Sequence, residues 1–583
     1  MKILINQVGY SLQTGTDLAP CRAVVQGRAS ESMPESIRLR DSEGSLLASF
    51  TPEPSAQVAG WKDRFFSILN FQAPEGGPFT LEAASGEVQV VSAPFRIGVD
   101  LEAKTTASDI LFGIFTYRSS GISDAVDQNI SFFGDRKDSV DVHGGWYDAS
   151  GDTSKYLSHL SYANYMNPQQ TPLVVWCLID AYEQLARSRF PLEERLSLRF
   201  LEEAAWGADF LMRMLDPDGY FYTTVFDDWS KNLDRRCICA FRTQKGILSD
   251  DYQAGYRQGG GMAIAALARM ASLLNGLDIY VGSYTPDEYL DAAYKAWKHL
   301  EKHNIEYLDD GKENMMDDYC ALLAAAELNS AVSNPVMKTK TGKAVDARTK
   351  GLIERWDVEG GFFRADAKGE WSWFHASDES LPLIVLMRAV ETGVVTGDLE
   401  ISARLVVQQA LDAEIRRSAD VCNPFLHPRH FVRMPGRPDE RQFFYPHDNP
   451  SGYWWQGENA RLASWAAASR RFLLSGSSGE QTIHGLEDFA DAQIAWIFGL
   501  NPFDACMLQG HGKNNPPYEW DHFNVPGGVV NGVTSGFKDE DDIAFMPAEA
   551  AGNGDHSWRW GEQWIPHAAW LLLAVAWSVP AGD

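Results

Sequence analysis

The stretch His143-Gly144-Gly145-Trp146-Tyr147-Asp148-Ala149-Ser150-Gly151-Asp152-Thr153-Ser154-Lys155-Tyr156 sets two aspartates four residues apart in a glycine-rich bend between aromatic residues. Glycine permits the tight backbone path that aims side chains into a cleft. Two carboxylates so placed can hold and deprotonate a water. Trp146, Tyr147 and Tyr156 offer flat apolar faces of the kind on which sugar rings stack. Taken alone, the stretch also suits a capped loop or part of a calcium site.

Its surroundings predict the scaffold. From about residue 105 apolar residues recur with the helical period, most clearly over 174–187, 199–215, 261–274, 288–302, 315–328, 382–391, 401–417, 459–474, 486–498 and 564–577. The intervening loops are long and rich in Gly, Pro, Trp and His, the composition of binding loops on a rigid frame. Without strand alternation or a fixed-period repeat, the pattern predicts a large all-α domain over residues 105–583. Residues 1–98 read differently. Short alternating runs at 22–26, 36–40, 46–50, 65–71, 79–83 and 87–97 are separated by turn clusters such as Pro74-Glu75-Gly76-Gly77-Pro78, which predicts a small β-sandwich.

Bulk composition narrows the function classes. A chain of 583 residues exceeds one ordinary core, so two or more domains are expected. With 79 acidic and 51 basic residues the formal charge is −28, which disfavours nucleic acid and anionic membrane as partners. Seven cysteines, thinly spread, form no disulfide framework, and Cys237-Ile238-Cys239 lacks the second pair a zinc site needs. His427, His430 and His447, with Arg429 and Arg433 in one long loop, give no converging ligand spacing. No metal or cofactor is therefore expected. The opening MKILINQVGY carries no apolar run of signal-peptide length, and the run 570–577 is too short to span a bilayer. The expectation is a soluble, cytoplasmic chain with reduced thiols.

Four blocks resemble glycoside hydrolase family 9, the inverting cellulase family with an (α/α)6 barrel. Ile5-Asn6-Gln7-Val8-Gly9-Tyr10 is similar to the start of the immunoglobulin-like module that precedes many of these barrels. Residues 144–152 resemble the family's Gly-Gly-Trp-Tyr-Asp-Ala-Gly-Asp segment. Phe498-Gly499-Leu500-Asn501-Pro502, then 510–516 and 526–529, resemble its late cleft loops, and Gly561-Glu562-Gln563-Trp564-Ile565 resembles its terminal glutamate block. The implied fold is multidomain: an immunoglobulin-like β-sandwich over 1–98, then an (α/α)6 barrel. The chain departs from the family at three places. Ser150 is inserted between the aspartates; Pro516–Phe523 replaces a paired histidine-arginine segment and keeps His522 alone; and Gly561 stands where the family has asparagine.

The resemblance implies roles. Inverting glycosidases use an acid and a base ~6.5–9.5 Å apart, with room for the attacking water. Asp152 matches the base, Asp148 its partner on that water, and Glu562 the general acid, with Trp558, Trp560 and Trp564 near enough to desolvate it. Further sugar contacts are expected from Trp146, Tyr147, Tyr156, Trp455, Glu458, Asn459, Glu519, Asp521, His522 and Trp560. The inserted serine and the Ser-Lys-Tyr continuation resemble a branch acting on glucosamine-containing oligosaccharides. The expected substrate is thus a short β-1,4-linked oligosaccharide cut at its non-reducing end, with glucosamine preferred. A cellobiose- or cellodextrin-cleaving glucosidase, an endoglucanase and a non-catalytic sugar-binding protein are the alternatives.

Overall fold

The structure is a computed structural model of the chain. It describes residues 1–583 except 13–14, 86–87, 189–191, 278, 453, 476–482 and 583, so that Glu87 of the strand expected at 87–97 lies outside the described residues.

The N-terminal strands are β1 (Lys2–Leu4), β2 (Tyr10–Leu12), β3 (Leu18–Gly27), β4 (Ile37–Arg40), β5 (Leu46–Phe50), β6 (Phe65–Pro74), β7 (Gly76–Ser85), β8 (Val88–Val91) and β9 (Phe95–Val99). One sheet has the order β1-β3-β6; the other runs β2-β9-β7-β4-β5, with β8 also on β7. Only β2 and β9 pair in parallel among them. Side-chain alternation decides which face goes where. Ala23 and Val25 of β3 and Leu69 and Phe71 of β6 point into a core shared with Leu39, Leu81 and Phe95 of the second sheet. Val24 and Phe66 point the opposite way and join the core of the helical region. There Phe66 meets Phe425 edge-on at 5.2 Å, and Trp61 packs on Phe443 at 5.3 Å.

The helices are α1 (Leu101–Thr116), α2 (Gly121–Asp127), α3 (Thr171–Arg187), α4 (Glu194–Arg213), α5 (Gly261–Asn275), α6 (Pro286–Tyr307) and α7 (Met315–Ala331). They continue with α8 (Pro335–Glu354), α9 (Leu381–Glu391), α10 (Asp398–Ala419), α11 (Asn459–Leu474), α12 (Leu486–Ile497), α13 (Gly554–Gly561) and α14 (Ile565–Trp577). Packing runs α3 to α5, α7, α9, α11, α14 and back to α3, which closes a ring. Each of these is backed by an outer helix: α4, α6, α8, α10, α12 and, behind α14, α1. The result is an α/α barrel. The sequences explain the layers. In α14 every residue from Ile565 to Ala576 is buried, as an inner helix requires. In α6 only the stripe Tyr289, Ala292, Ala293, Ala296, Trp297, Leu300 and Asn304 is buried, and a Thr285–Glu288 capping box starts the helix.

Two expectations change. Helix α8 escapes the apolar period because its buried face is Thr341, Val345, Thr349 and Leu352, half of it hydroxyl residues. The region is also not wholly helical: Lys155–Tyr156, Thr224–Phe226, Cys237–Arg242 and Ile247–Ser249 form a small antiparallel sheet in the loops. The loops that enter α3, α5 and α14 carry the residues described next. The large cavity of about 810 Å³ lies elsewhere, at the seam between the β-region and α11–α12, and shares no residue with those loops.

The Ile5–Tyr10 block docks this seam. Gln7 donates its backbone N–H to Phe498 O at 2.8 Å and its amide to Asp504 Oδ1 at 3.0 Å. It accepts from Lys513 N at 2.7 Å. The block thus fastens the β-region to the loops that follow α12.

Candidate active site

Buried charges hold the aspartate loop from behind. The Lys155 ammonium is fully buried and donates to Val142 O (2.7 Å) and Gly144 O (2.9 Å), pairing with Asp127 at 2.7 Å. Asp127 is gripped by Arg236 at 2.6 and 2.9 Å, and Arg236 also donates to Thr153 O at 2.7 Å. Gly145, at φ +72°, has no room for a Cβ, which would stand 2.6 Å from the Phe210 ring. The bend is therefore rigid on both sides of the aspartates.

Asp148 is buried and accepts from Trp564 Nε1 at 2.9 Å. Burial pushes its carboxyl well above the usual range, and the charges of Asp152 and Glu562 add to the shift against the Trp564 bond. Asp152 is half-buried. It accepts from Ser154 N at 2.8 Å and from the Tyr156 hydroxyl at 3.1 Å. Burial and then the charge of Asp227 raise it, while those two bonds oppose the rise. Asp227 is held by Ser154 Oγ at 3.0 Å and by the Thr153 hydroxyl.

Glu562 stands next to this pair. Burial and the charge of Asp152 push its carboxyl up to about 8, opposed by the Gly151 N–H and by Lys231. Gly151 must lack a side chain, since a Cβ there would lie 2.5 Å from Glu562 Oε1. Ser150 does not loosen the loop. Its N–H donates to Gln563 O at 2.9 Å, its Oγ accepts from Gln563 N at 3.1 Å, and Ala149 bridges to Trp564. The extra residue stitches the aspartate loop to the strand-like segment that carries Glu562. That segment links α14 to the short helix α13, which the apolar periodicity does not predict. The arrangement supplies a carboxylic acid that stays protonated near neutral pH beside two carboxyl groups able to orient a water.

Several expected sugar contacts fall elsewhere. Trp146 is 1% exposed and donates to Glu203 Oε1 at 2.7 Å, so it is a core residue because its ring fills the space over Gly207. Tyr147 is half-buried, with its hydroxyl on Ser120 O at 3.2 Å. Trp455 is covered by His447, stacked at 3.7 Å, and by the Arg559 guanidinium at 4.0 Å. Trp560 is fully buried, with Nε1 on Thr534 Oγ1 at 2.8 Å. Glu458 is buried and spent on His430 (2.9 Å), Arg461 (3.2 Å) and the Tyr445 N–H. Asn459, also buried, donates to Val530 O at 2.8 Å. Trp146, Trp455, Trp560, Glu458 and Asn459 serve the scaffold, because each has its polar group or ring faces occupied by protein, whereas only the hydroxyl of Tyr147 is engaged. Tyr453, which starts the stretch leading to Trp455 and Glu458, lies outside the described residues.

The structure brings others together. Tyr156 is 1% exposed and is no stacking platform; it holds Asp152 and itself accepts from Trp229 Nε1 at 3.1 Å. His522 is buried against Gly151 and Gly561, 3.6 Å from Glu519, and Asp521 is exposed beside it. Sequence reasoning missed Trp229, Lys231 and Asp227, whose loop precedes α5, and the exposed Tyr518, Trp520 and Phe523. The last three were visible as aromatics interleaved with acids in a segment without periodicity. Among the described residues no group of three or more His, Cys, Asp or Glu is placed to hold a metal ion, and all seven cysteines are free. No described helix is long and apolar enough to cross a membrane.

The site is a cluster of three carboxyl groups, Asp148, Asp152 and Glu562, carried by loops at one end of an α/α barrel. The sequence profile of glycosyl hydrolase family 9 matches residues 109–523, and the chain belongs to that family. It is therefore an O-glycosyl hydrolase. The profile match ends before Glu562. Its fold is similar to a family 9 protein of Bacteroides ovatus, with 18% identity, 99% of this chain and 98% of that chain covered, and a TM-score of 0.65. It is likewise similar to a single mutant (D468A) of a thermostable endoglucanase from Alicyclobacillus acidocaldarius, with 18% identity, 99% of both chains covered and a TM-score of 0.63. AaCel9A in complex with cellobiose-like isofagomine gives 18% identity, 99% of both chains and a TM-score of 0.62. No curated protein matches the chain.

Proposed function

We propose that this enzyme hydrolyses short β-1,4-linked oligosaccharides with inversion at the anomeric carbon. Glu562 gives its proton to the leaving oxygen, while Asp152, aided by Asp148, takes a proton from the attacking water. The observation that carries this reading is the close approach at Gly151. The glycine's missing side chain and its N–H leave room for Glu562 beside Asp152, where burial and then the Asp152 charge keep the glutamate protonated. Two sheets packed face to face in the β-region support an immunoglobulin-like module docked on the barrel's flank.

For the sugar, the reading is exo-action on glucosaminyl ends, and the acidic residues Glu519 and Asp521 of the loop that packs on Gly151 support it. Carboxylates near a cleft favour a protonated amine through charge-assisted hydrogen bonds. Glu458 no longer contributes to that argument, since Arg461 and His430 already occupy it. The competing reading is a cellulose-type glucan, supported by the structural relatives that are endoglucanases.

Both readings meet in one experiment. NMR of the first product from cellobiose and from chitosan dimer should show the α-anomer, with a kcat/KM about tenfold higher for the amino sugar. A first-formed β-anomer would overturn the assigned roles. Equal kcat/KM values on the two dimers would remove the amine preference and leave the glucan reading.

A further inference from the structure

Tryptophan is largely buried in most proteins, yet Trp520 is 83% exposed, with Tyr518 at 59% and Phe523 at 42% beside it. The three rings form one cluster, with Trp520 outermost. Tyr518 and Phe523 lie nearly parallel with centroids 5.6 Å apart, and Trp520 meets Tyr518 edge-on at 6.3 Å. This cluster is anchored to the site. Phe523 N donates to Ser150 O at 3.3 Å, and a Cβ on Gly151 would come within 2.9 Å of Asp521 O. Buried His522 lies beneath, against Gly151 and Gly561. Across the opening, Lys231 Nζ stands 5.8 Å from the Phe523 ring, and its charge acts on the Glu562 carboxyl.

We propose that Trp520, backed by the stacked Tyr518 and Phe523, is a stacking platform for the pyranose rings of a β-linked chain that lie beyond the two sugars at the scissile bond. This rests on the hydrolase reading above. The chemistry of the loop fits a sugar better than an apolar partner. Glu519 and Asp521 alternate with the rings, so flat apolar faces and hydroxyl acceptors come from the same short segment. A pyranose ring presents the complement: C–H faces and an equatorial belt of hydroxyls. The loop that carries the platform packs on Gly151, which also neighbours Glu562, so the platform lies at the edge of the same site.

The test compares chain lengths. Wild type and Trp520→Ala are assayed on β-1,4-linked dimers and tetramers of glucose and of glucosamine. The variant should raise KM for the preferred tetramer about tenfold with kcat within about twofold, leave the dimer nearly unchanged, and recover most of the affinity as Trp520→Phe. Equal losses on dimer and tetramer, or none on either, would overturn the platform while leaving the hydrolase reading intact. If the wild-type enzyme cleaves none of these sugars, that substrate reading fails instead. Tetramer quenching of tryptophan fluorescence then still reads the platform, and quenching identical in wild type and Trp520→Ala overturns it.

Discussion

Trp146 and Tyr147 immediately precede Asp148, while Tyr518, Trp520 and Phe523 lie in a separate late loop, yet only the second group turns its rings to solvent beside the carboxyl groups. The difference is one of neighbours. The 143–156 loop is fixed from behind by Lys155, Asp127 and Arg236, and Trp146 completes that packing with its indole on Glu203. The 516–523 loop hangs from the same loop by the Ser150 carbonyl and a buried histidine, and its rings pack mainly on one another and stay exposed. Rigidity and recognition are thus divided between two segments. An aromatic next to a catalytic-type aspartate in sequence is no guide to which faces meet a sugar.

The strongest way to break this division is through the carboxyl groups. Glu562→Gln should lower kcat by ~10²–10⁴-fold on unactivated oligosaccharides, since general acid catalysis is removed. A loss of that size in kcat from Trp520→Ala would show that the two loops do not divide the work. The pH profile sharpens the point. With the Glu562 carboxyl at about 8, wild-type kcat should fall as pH rises through that value. Stability follows the same group. Because its folded pKa lies above that of an unfolded glutamate, its contribution is intact below ~4.5, erodes as pH climbs, and is fully lost above about 8. Glu562→Gln should therefore be more resistant to urea than wild type at pH 8, by ~1–3 kcal/mol after allowance for partial solvation. No gain in denaturation midpoint would mean that the carboxyl is not held protonated.

The next effect is structural. Trp146→Ala removes a fully packed indole and should cost ~3–5 kcal/mol in a urea titration, whereas Trp520→Ala should change stability by less than ~0.5 kcal/mol. Trp146→Ala with undiminished stability but weakened sugar affinity would reverse the assignment of the two aromatic groups.

How much of this was legible depended on what each residue touches. The barrel was readable because inner helices such as Ile565–Trp577 are apolar on all sides, and outer ones such as α6 carry a clean stripe. Helix α8 was not, since Thr341 and Thr349 occupy buried positions that periodicity counts as polar. Asp148, Asp152 and Glu562 were visible as motif residues, but their electrostatic coupling was not, because Gly151 joins them across hundreds of residues. Trp455, Glu458 and Asn459 looked like a sugar subsite for the same reason they pack well. A Trp ring accepts Arg559, a glutamate accepts Arg461 and His430, and the amide caps Val530 O. Sequence shows that such groups are able to bind; only the fold shows that protein has already claimed them.

Ser150 gives the smallest effect and the finest test of how the two loops are joined. The family-like segment lacks this residue, yet here its backbone N–H and side-chain oxygen both bond to Gln563, and its carbonyl receives Phe523 N. Ser150→Ala deletes only the bond from Gln563 N at 3.1 Å and leaves the two backbone bonds. The loss should be ~0.5–1.5 kcal/mol in stability. In catalysis it should appear as a several-fold fall in kcat with KM almost unchanged, since the distance between Asp152 and Glu562 is what the bond steadies. A changed KM for tetramers with intact kcat would mean that Ser150 instead supports the aromatic loop through Phe523. Equal kinetics and equal stability would show that the two backbone bonds alone hold the loops together.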